Sequence, residues 1–167
     1  ALAGGTISGD YTLSSNQKVS LGPKKIEGNL IVQDRAELSV TGTIWVTGNI
    51  TLQNSGKIYL DQAAYGSLSG VVLGDGQITV QDNAQAKGSG LAGSYLMLLS
   101  TLDSSGGGPV AIILQNSPEL YIIYASRGFV QLQDSIKLRE VSSWGLKLQN
   151  KAQVIYEVGL QDAVFTS

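Results

Sequence analysis

Cysteine and histidine are both missing from this chain. Without cysteine there can be neither disulfides nor thiolate metal sites. Without histidine the commonest general base and metal ligand is gone. Charged residues are sparse, 14% of the total, and nearly balanced at a net charge of −2. That leaves no basic surface for nucleic acid and no polybasic patch for a membrane. No apolar run reaches the roughly 18 residues of a spanning helix, so no membrane span is expected in these residues. Ala1-Leu2-Ala3 lacks the charged and apolar regions of a signal peptide. Proline is scarce, with three residues, and no long segment has helical spacing.

What the chain does have is a repeat. Gly28-Asn29-Leu30-Ile31-Val32-Gln33-Asp34 is followed 20 positions later by Gly48-Asn49-Ile50-Thr51-Leu52-Gln53-Asn54. An aliphatic residue, then Gln, then Asp or Asn, recurs with its last member at Asp34, Asn54, Asp82, Asn116, Asp134 and Asn150. A further aliphatic precedes each word by two residues, at Leu30, Ile50, Ile78, Ile112, Val130 and Leu146. Another follows six residues after the word's own aliphatic, at Leu38, Ile58, Ala86, Leu120, Leu138 and Val154. A degenerate earlier copy runs from Leu13 to Val19. Alternating apolar residues broken by turn residues at such a period are the signature of a solenoid. A third short alternation, Thr43 to Thr47, lies between Gly42 and Gly48, giving three strands and three corners per rung. The predicted fold is all-β: one domain over 1–167, a right-handed parallel β-helix of about seven coils with loop insertions.

In that fold the aliphatic columns face inward, Leu146, Leu148 and Val154 included, and the slots between them face out. Glu37 is expected beside Lys57, and Glu119 beside Lys137. The Asp/Asn column Asp34, Asn54, Asp82, Asn116, Asp134 and Asn150 forms the corners, where such side chains bond nearby backbone and tolerate left-handed geometry. The copies start 20, 28, 34, 18 and 16 residues apart. The longer intervals come from insertions at 61–70, 88–94 and 103–109. The first two leave at one corner of adjacent rungs and should touch; the Gly-rich third is expected to be mobile.

Carboxylates that work in pairs on polysaccharides are one function such a surface could carry. Asp34, Asp82 and Asp134 alternate with Asn, however, so the corner does not require a carboxylate and a turn role outweighs catalysis. Serine is plentiful but has no nucleophile-elbow pattern and no histidine partner. Gly74-Asp75-Gly76 and Gly106-Gly107-Gly108 lack the spacing of calcium or phosphate loops and read as tight corners. Trp45, Trp144, Tyr65, Tyr95, Tyr121, Tyr124 and Tyr156 could stack on sugars, but read first as packing residues. No catalytic residue, metal or cofactor is expected. Solenoids carry function in loops that leave one face, so the candidate interaction residues are Asp61, Gln62, Tyr65, Leu68, Leu91 and Ser94.

The run from Lys25 to Leu30 and the run from Val40 to Ile50 resemble the β-solenoid domain of PilX-like, type IV pilus-associated bacterial proteins. So do Gly88-Ser89-Gly90, the stretch Ser94 to Ser100, Ile123-Tyr124-Ala125, Lys147 to Asn150, Ile155-Tyr156-Glu157 and Gly159-Leu160. The resemblance covers most of the chain, from about Gly5 to Phe165. It implies a non-enzymatic structural or interaction module at a bacterial cell surface or outside the cell, with the proteins of a pilus-like assembly as partners. In that family an apolar pilin-like helix precedes the solenoid. The apolar Ala163-Val164-Phe165 at the other end adds to the expectation of a mature or excised part of a longer chain. The alternatives are a self-associating scaffold that stacks end to end, like the bactofilins, and a glycan-binding β-helix adhesin.

Overall fold

The structure, a computed structural model, describes residues 4–120, 122–134, 136–154 and 165. Sequence features at residues 1–3, Tyr121, residues 155–160 and residues 163–164 lie outside them. In chain order the strands are β1 (Thr6–Ser8), β2 (Tyr11–Leu13), β3 (Lys18–Leu21), β4 (Lys24–Glu27), β5 (Leu30–Val32) and β6 (Glu37–Val40). Then come β7 (Ile44–Val46), β8 (Ile50–Leu52) and β9 (Lys57–Leu60), a one-turn helix α1 (Gln62–Tyr65), and β10 (Gly70–Gly74), β11 (Ile78–Val80) and β12 (Gln85–Lys87). The last are β13 (Leu96–Ser100), β14 (Ile112–Leu114), β15 (Ile122–Leu132), β16 (Lys137–Leu138), β17 (Glu140–Leu148) and β18 (Gln153–Val154).

The chain is all-β, and its strands pair in parallel. Each of the first eleven strands pairs with the one three places on: β2, β5, β8 and β11 form one ladder, and β3, β6, β9 and β12 another. The long β15 joins two ladders, since Ile122 to Tyr124 pair with β13 and Val130 to Leu132 with β14. The result is a nearly closed twelve-stranded sheet, with a four-stranded and a two-stranded sheet beside it. The repeat sets the register: Leu30 faces Ile50, Ile50 faces Ile78, Ile78 faces Ile112, Ile112 faces Val130 and Val130 faces Leu146.

Those registered aliphatics make the core. Leu30, Ile50, Ile78, Ile112 and Val130 are fully buried, as are Val32, Leu52, Val80, Leu114 and Leu132. Each large side chain so buried contributes roughly 1.5–3 kcal/mol. The columns end differently from the sequence expectation. Leu146, Leu148 and Val154 occupy inward slots yet are 43%, 49% and 39% exposed. The reason is their place in the stack: among the described residues β17, with Leu146 and Leu148, pairs only with β15, and β18, with Val154, only with β16.

The corners are built as the Gln-Asp/Asn word suggests. Two successive residues hold left-handed φ at Ser15-Asn16, Asp34-Arg35, Asn54-Ser55, Asp82-Asn83, Asn116-Ser117 and Asn150-Lys151. Stacked corners bond sideways: Asn54 Nδ2 donates to Asp34 Oδ1 at 3.1 Å, Asn116 to Asp82 at 2.9 Å, and Asn150 to Asp134 at 2.9 Å. The preceding glutamines form their own ladder. Gln53 donates to Gln33, Gln81 to Gln53 and Gln115 to Gln81, at 2.7, 3.1 and 2.6 Å. A second corner repeats Gly-Asn: Asn29 Oδ1 accepts from Asn49 N, and Asn49 Oδ1 from Gln77 N. There the backbones approach so closely that a Cβ on Gly48 would lie 2.6 Å from Gly28 O.

The Gly-rich insertion at 103–109 is anchored at its base. Ser104 is fully buried, its amide donates to Arg127 O, and its Oγ accepts from Phe129 N at 2.7 Å. Asp103 forms an ion pair with Arg127. A polar serine, not a glycine, ties the base of the loop to β15, while Gly106 and Gly107 beyond it have open space around them.

Candidate functional site

The insertions at 61–70 and 88–94 leave from successive strands of one ladder, after β9 and after β12, and they touch. Ser94 Oγ donates to Leu68 O at 2.8 Å, and Ser69 Oγ donates to Gly93 O and accepts from Tyr95 N. Ser89 Oγ donates to Gly66 O. The two loops are thereby one body.

The six residues singled out from sequence divide by role. Asp61 caps α1, its Oδ1 accepting from Ala64 N, while its Oδ2 accepts from Ser39 Oγ. Tyr65 is buried under the insertion, and burial pushes its phenol pKa up. Ser94 is buried and spent on backbone. Gln62, Leu68 and Leu91 are exposed. Of the six, only Leu91 and Ser94 line the concavity beside the loops, a cavity of about 530 Å³.

Its floor is the outer face of β9 and β12. Lys57 stands in register with Gln85, and Tyr59 with Lys87. Its wall is the 88–94 loop, and Tyr95, Arg139 and Glu37 complete it. The Arg139 guanidinium lies 5.9 Å from the Tyr95 ring centroid. Glu37 accepts from Lys18 at 3.0 Å and lies 3.5 Å from Lys57, and the Lys18 bond above all holds its carboxyl below the usual range. Lys87 pairs with Glu119 at 2.8 Å. Glu37 and Lys57 are therefore neighbours as the stacking predicts. Glu119 is bonded by Lys87 and by Gln85 Nε2; the side chain of Lys137 lies outside the described residues.

Sequence reasoning missed Lys57, Tyr59, Lys87 and Arg139 as a group. Three of them fill outward strand slots with no motif of their own, and only stacking brings them to the loop. The signal available was the position of the insertion, which follows β12 directly.

The remaining candidates resolve into structure. The six corner residues Asp34 to Asn150 lie along one edge and bond one another. Asp75 accepts from Trp45 Nε1 at 2.8 Å and from Thr101 Oγ1 at 2.9 Å, which ties the Gly74-Asp75-Gly76 corner to its neighbours. Trp45 is part-buried with Lys25 Nζ 4.9 Å from its ring centroid, but Trp144 is 63% exposed on β17. The aromatics do not converge: Trp144 and Tyr124 sit on β17 and β15, and of the seven only Tyr95, among the described residues, lines the cavity, where Tyr59 joins it. Among the described residues no group of His, Cys, Asp and Glu is placed to hold a metal ion, and no helix is long and apolar enough to cross a membrane. No family model, curated protein or solved structure matches this chain.

Proposed function

We propose that the chain is a right-handed parallel β-helix of about seven coils, serving as a non-enzymatic module that presents a rigid face to partner proteins. The observation that carries this reading is the hydrogen-bonded surface: corners, glutamines and insertions are spent on bonding their stacked neighbours. Such a frame holds an outer surface fixed, and among the described residues Asp34, Asp61, Asp75, Asp103 and Glu37 are each bonded to a neighbouring side chain or backbone amide. The surface or pilus location and the bacterial source rest on the sequence resemblance. The test is fractionation of cells carrying a tagged full-length chain. Recovery with sheared surface filaments supports the module; retention wholly inside the cell overturns its placement.

A second reading, a scaffold that stacks end to end, is favoured by one feature. β17 offers nine residues of strand with Trp144, Leu146 and Leu148 exposed, an arrangement that invites pairing. Light scattering and negative-stain electron microscopy over a concentration series decide it. Filaments of uniform width that are lost in Leu146→Glu support the scaffold; monomers at every concentration remove it.

A further inference from the structure

We propose that the cavity between the β9–β12 face and the 88–94 loop is a binding site for an acidic saccharide of one or two rings. Its volume of about 530 Å³ lies inside the range of roughly 300–1,000 Å³ usual for small-molecule sites. Among the described residues, Lys57, Lys87 and Arg139 line it against one carboxylate, Glu37, although the whole chain carries a net charge of −2. Cations are gathered at this one concave place, which selects for an anion.

Lys57 and Lys87 can each exchange its protein carboxylate for one on a ligand. Lys57 is the weaker partner of Glu37, at 3.5 Å against 3.0 Å for Lys18, so Glu37 keeps a cation when Lys57 turns to a ligand. Lys87 and Glu119 have side chains 39% and 47% exposed, and a pair so exposed contributes little. A ligand carboxylate can displace it at small cost.

Charge alone does not distinguish a sugar from an acidic peptide; the lining does. Tyr59 and Tyr95 both reach the cavity; Tyr95 has the Arg139 guanidinium over its ring, while Tyr59 offers a flat apolar face with a polar tip, which suits the C–H face and hydroxyls of a pyranose. A peptide would gain by adding to a strand edge, but β9 is paired on both sides, by β6 and β12, and the outer side of the edge strand β12 is bridged to Glu119, which accepts from Ala86 N and donates to Ala84 O. The floor presents side chains only.

The test is titration of the full chain with digalacturonic acid, followed by calorimetry and amide chemical shifts, with its methyl ester and triglutamate as controls. The expected result is binding by the diuronate that weakens with salt and shifts amides between Gly88 and Tyr95. Lys57→Met with Lys87→Met should weaken it at least tenfold, and Tyr59→Ala should weaken it while the fold's denaturation midpoint holds. No binding at millimolar diuronate overturns the proposal, as do shifts confined to other faces or a methyl ester that binds equally well. Triglutamate binding as tightly, indifferent to Tyr59→Ala, would assign the site to acidic peptides instead. The inference stands apart from the surface-module reading, which cell fractionation tests separately.

Discussion

Asn54 donates its side-chain amide to Asp34 Oδ1 across one step of the stack, and both residues hold left-handed backbone, at φ 50° and 52°. One residue type thus meets two demands, a sideways bond and a conformation that costs most side chains about 1–2 kcal/mol. Asn54→Ala removes both, and Asn54→Gly restores only the second. Alanine should cost about 1–3 kcal/mol and glycine less. Urea denaturation of the two variants checks the order; an alanine variant as stable as wild type would contradict it.

Gln53 stands between Gln33 and Gln81, donating to one and accepting from the other. Gln53→Leu should strand an acceptor and a donor that are both part-buried, at about 1–3 kcal/mol for each group left unmet. The loss should shrink in a variant that also carries Gln33→Leu, Gln81→Leu and Gln115→Leu, since the partners bonded along this ladder then vanish together. Denaturation midpoints for the single and quadruple variants provide the comparison.

Gly48 has no room for a side chain: a Cβ would lie 2.5 Å from Asn29 Oδ1 and 2.6 Å from Gly28 O. Gly106 has nothing within 4 Å and no left-handed φ. Gly48→Ala should lower the melting temperature by many degrees or prevent folding, because backbone must move. Gly106→Ala should leave it within about 0.5 kcal/mol of wild type, as surface changes usually do. Paired thermal melts read the contrast.

Glu37 titrates below its ordinary value of 4.5, chiefly through its bond from Lys18. A carboxylate whose folded pKa is depressed stabilises the fold above its unfolded value, and that stability is lost as pH falls through the folded one. Glu37→Gln should therefore narrow the gap to wild type as pH drops below about 4.5. Lys18→Met should flatten the same acid limb, and added salt should do so in part. Stability curves between neutral pH and pH 3 would show a constant gap if the pairing contributed nothing.

Ser104 is buried beneath β15 and accepts from Phe129 N. Ser104→Ala should leave that amide unmet and release the 103–109 loop, seen as faster hydrogen exchange at Phe129 and at Gly106 to Gly108. Ser105→Ala, outside that contact, should leave Phe129 exchange unchanged.

How far sequence carried the fold depends on how local each signal is. The Gln-Asp/Asn word recurs in the chain, so the corners, strand slots and register of Leu30, Ile50, Ile78, Ile112 and Val130 could be read directly. Contact between the insertions also followed, because the same offset placed both after one ladder. Ser104 could not be recognised as an anchor, since nothing beside it in sequence marks the backbone of Arg127 and Phe129 as its partners. Trp144 and Leu146 carried the apolar pattern of inner and packing residues, but their exposure depends on what lies beyond the last pairing.

By itself the sequence determined the parallel all-β ladder and its corners, because periodic side chains and left-handed turn residues act within a few positions of where they stand. Only the tertiary structure decided which outward residues meet. Lys57, Tyr59, Lys87 and Arg139 come from three stacked levels, and a rung-to-rung spacing of about 4.8 Å makes neighbours of residues that the chain keeps far apart. The cavity they share has no motif because no single rung contains it.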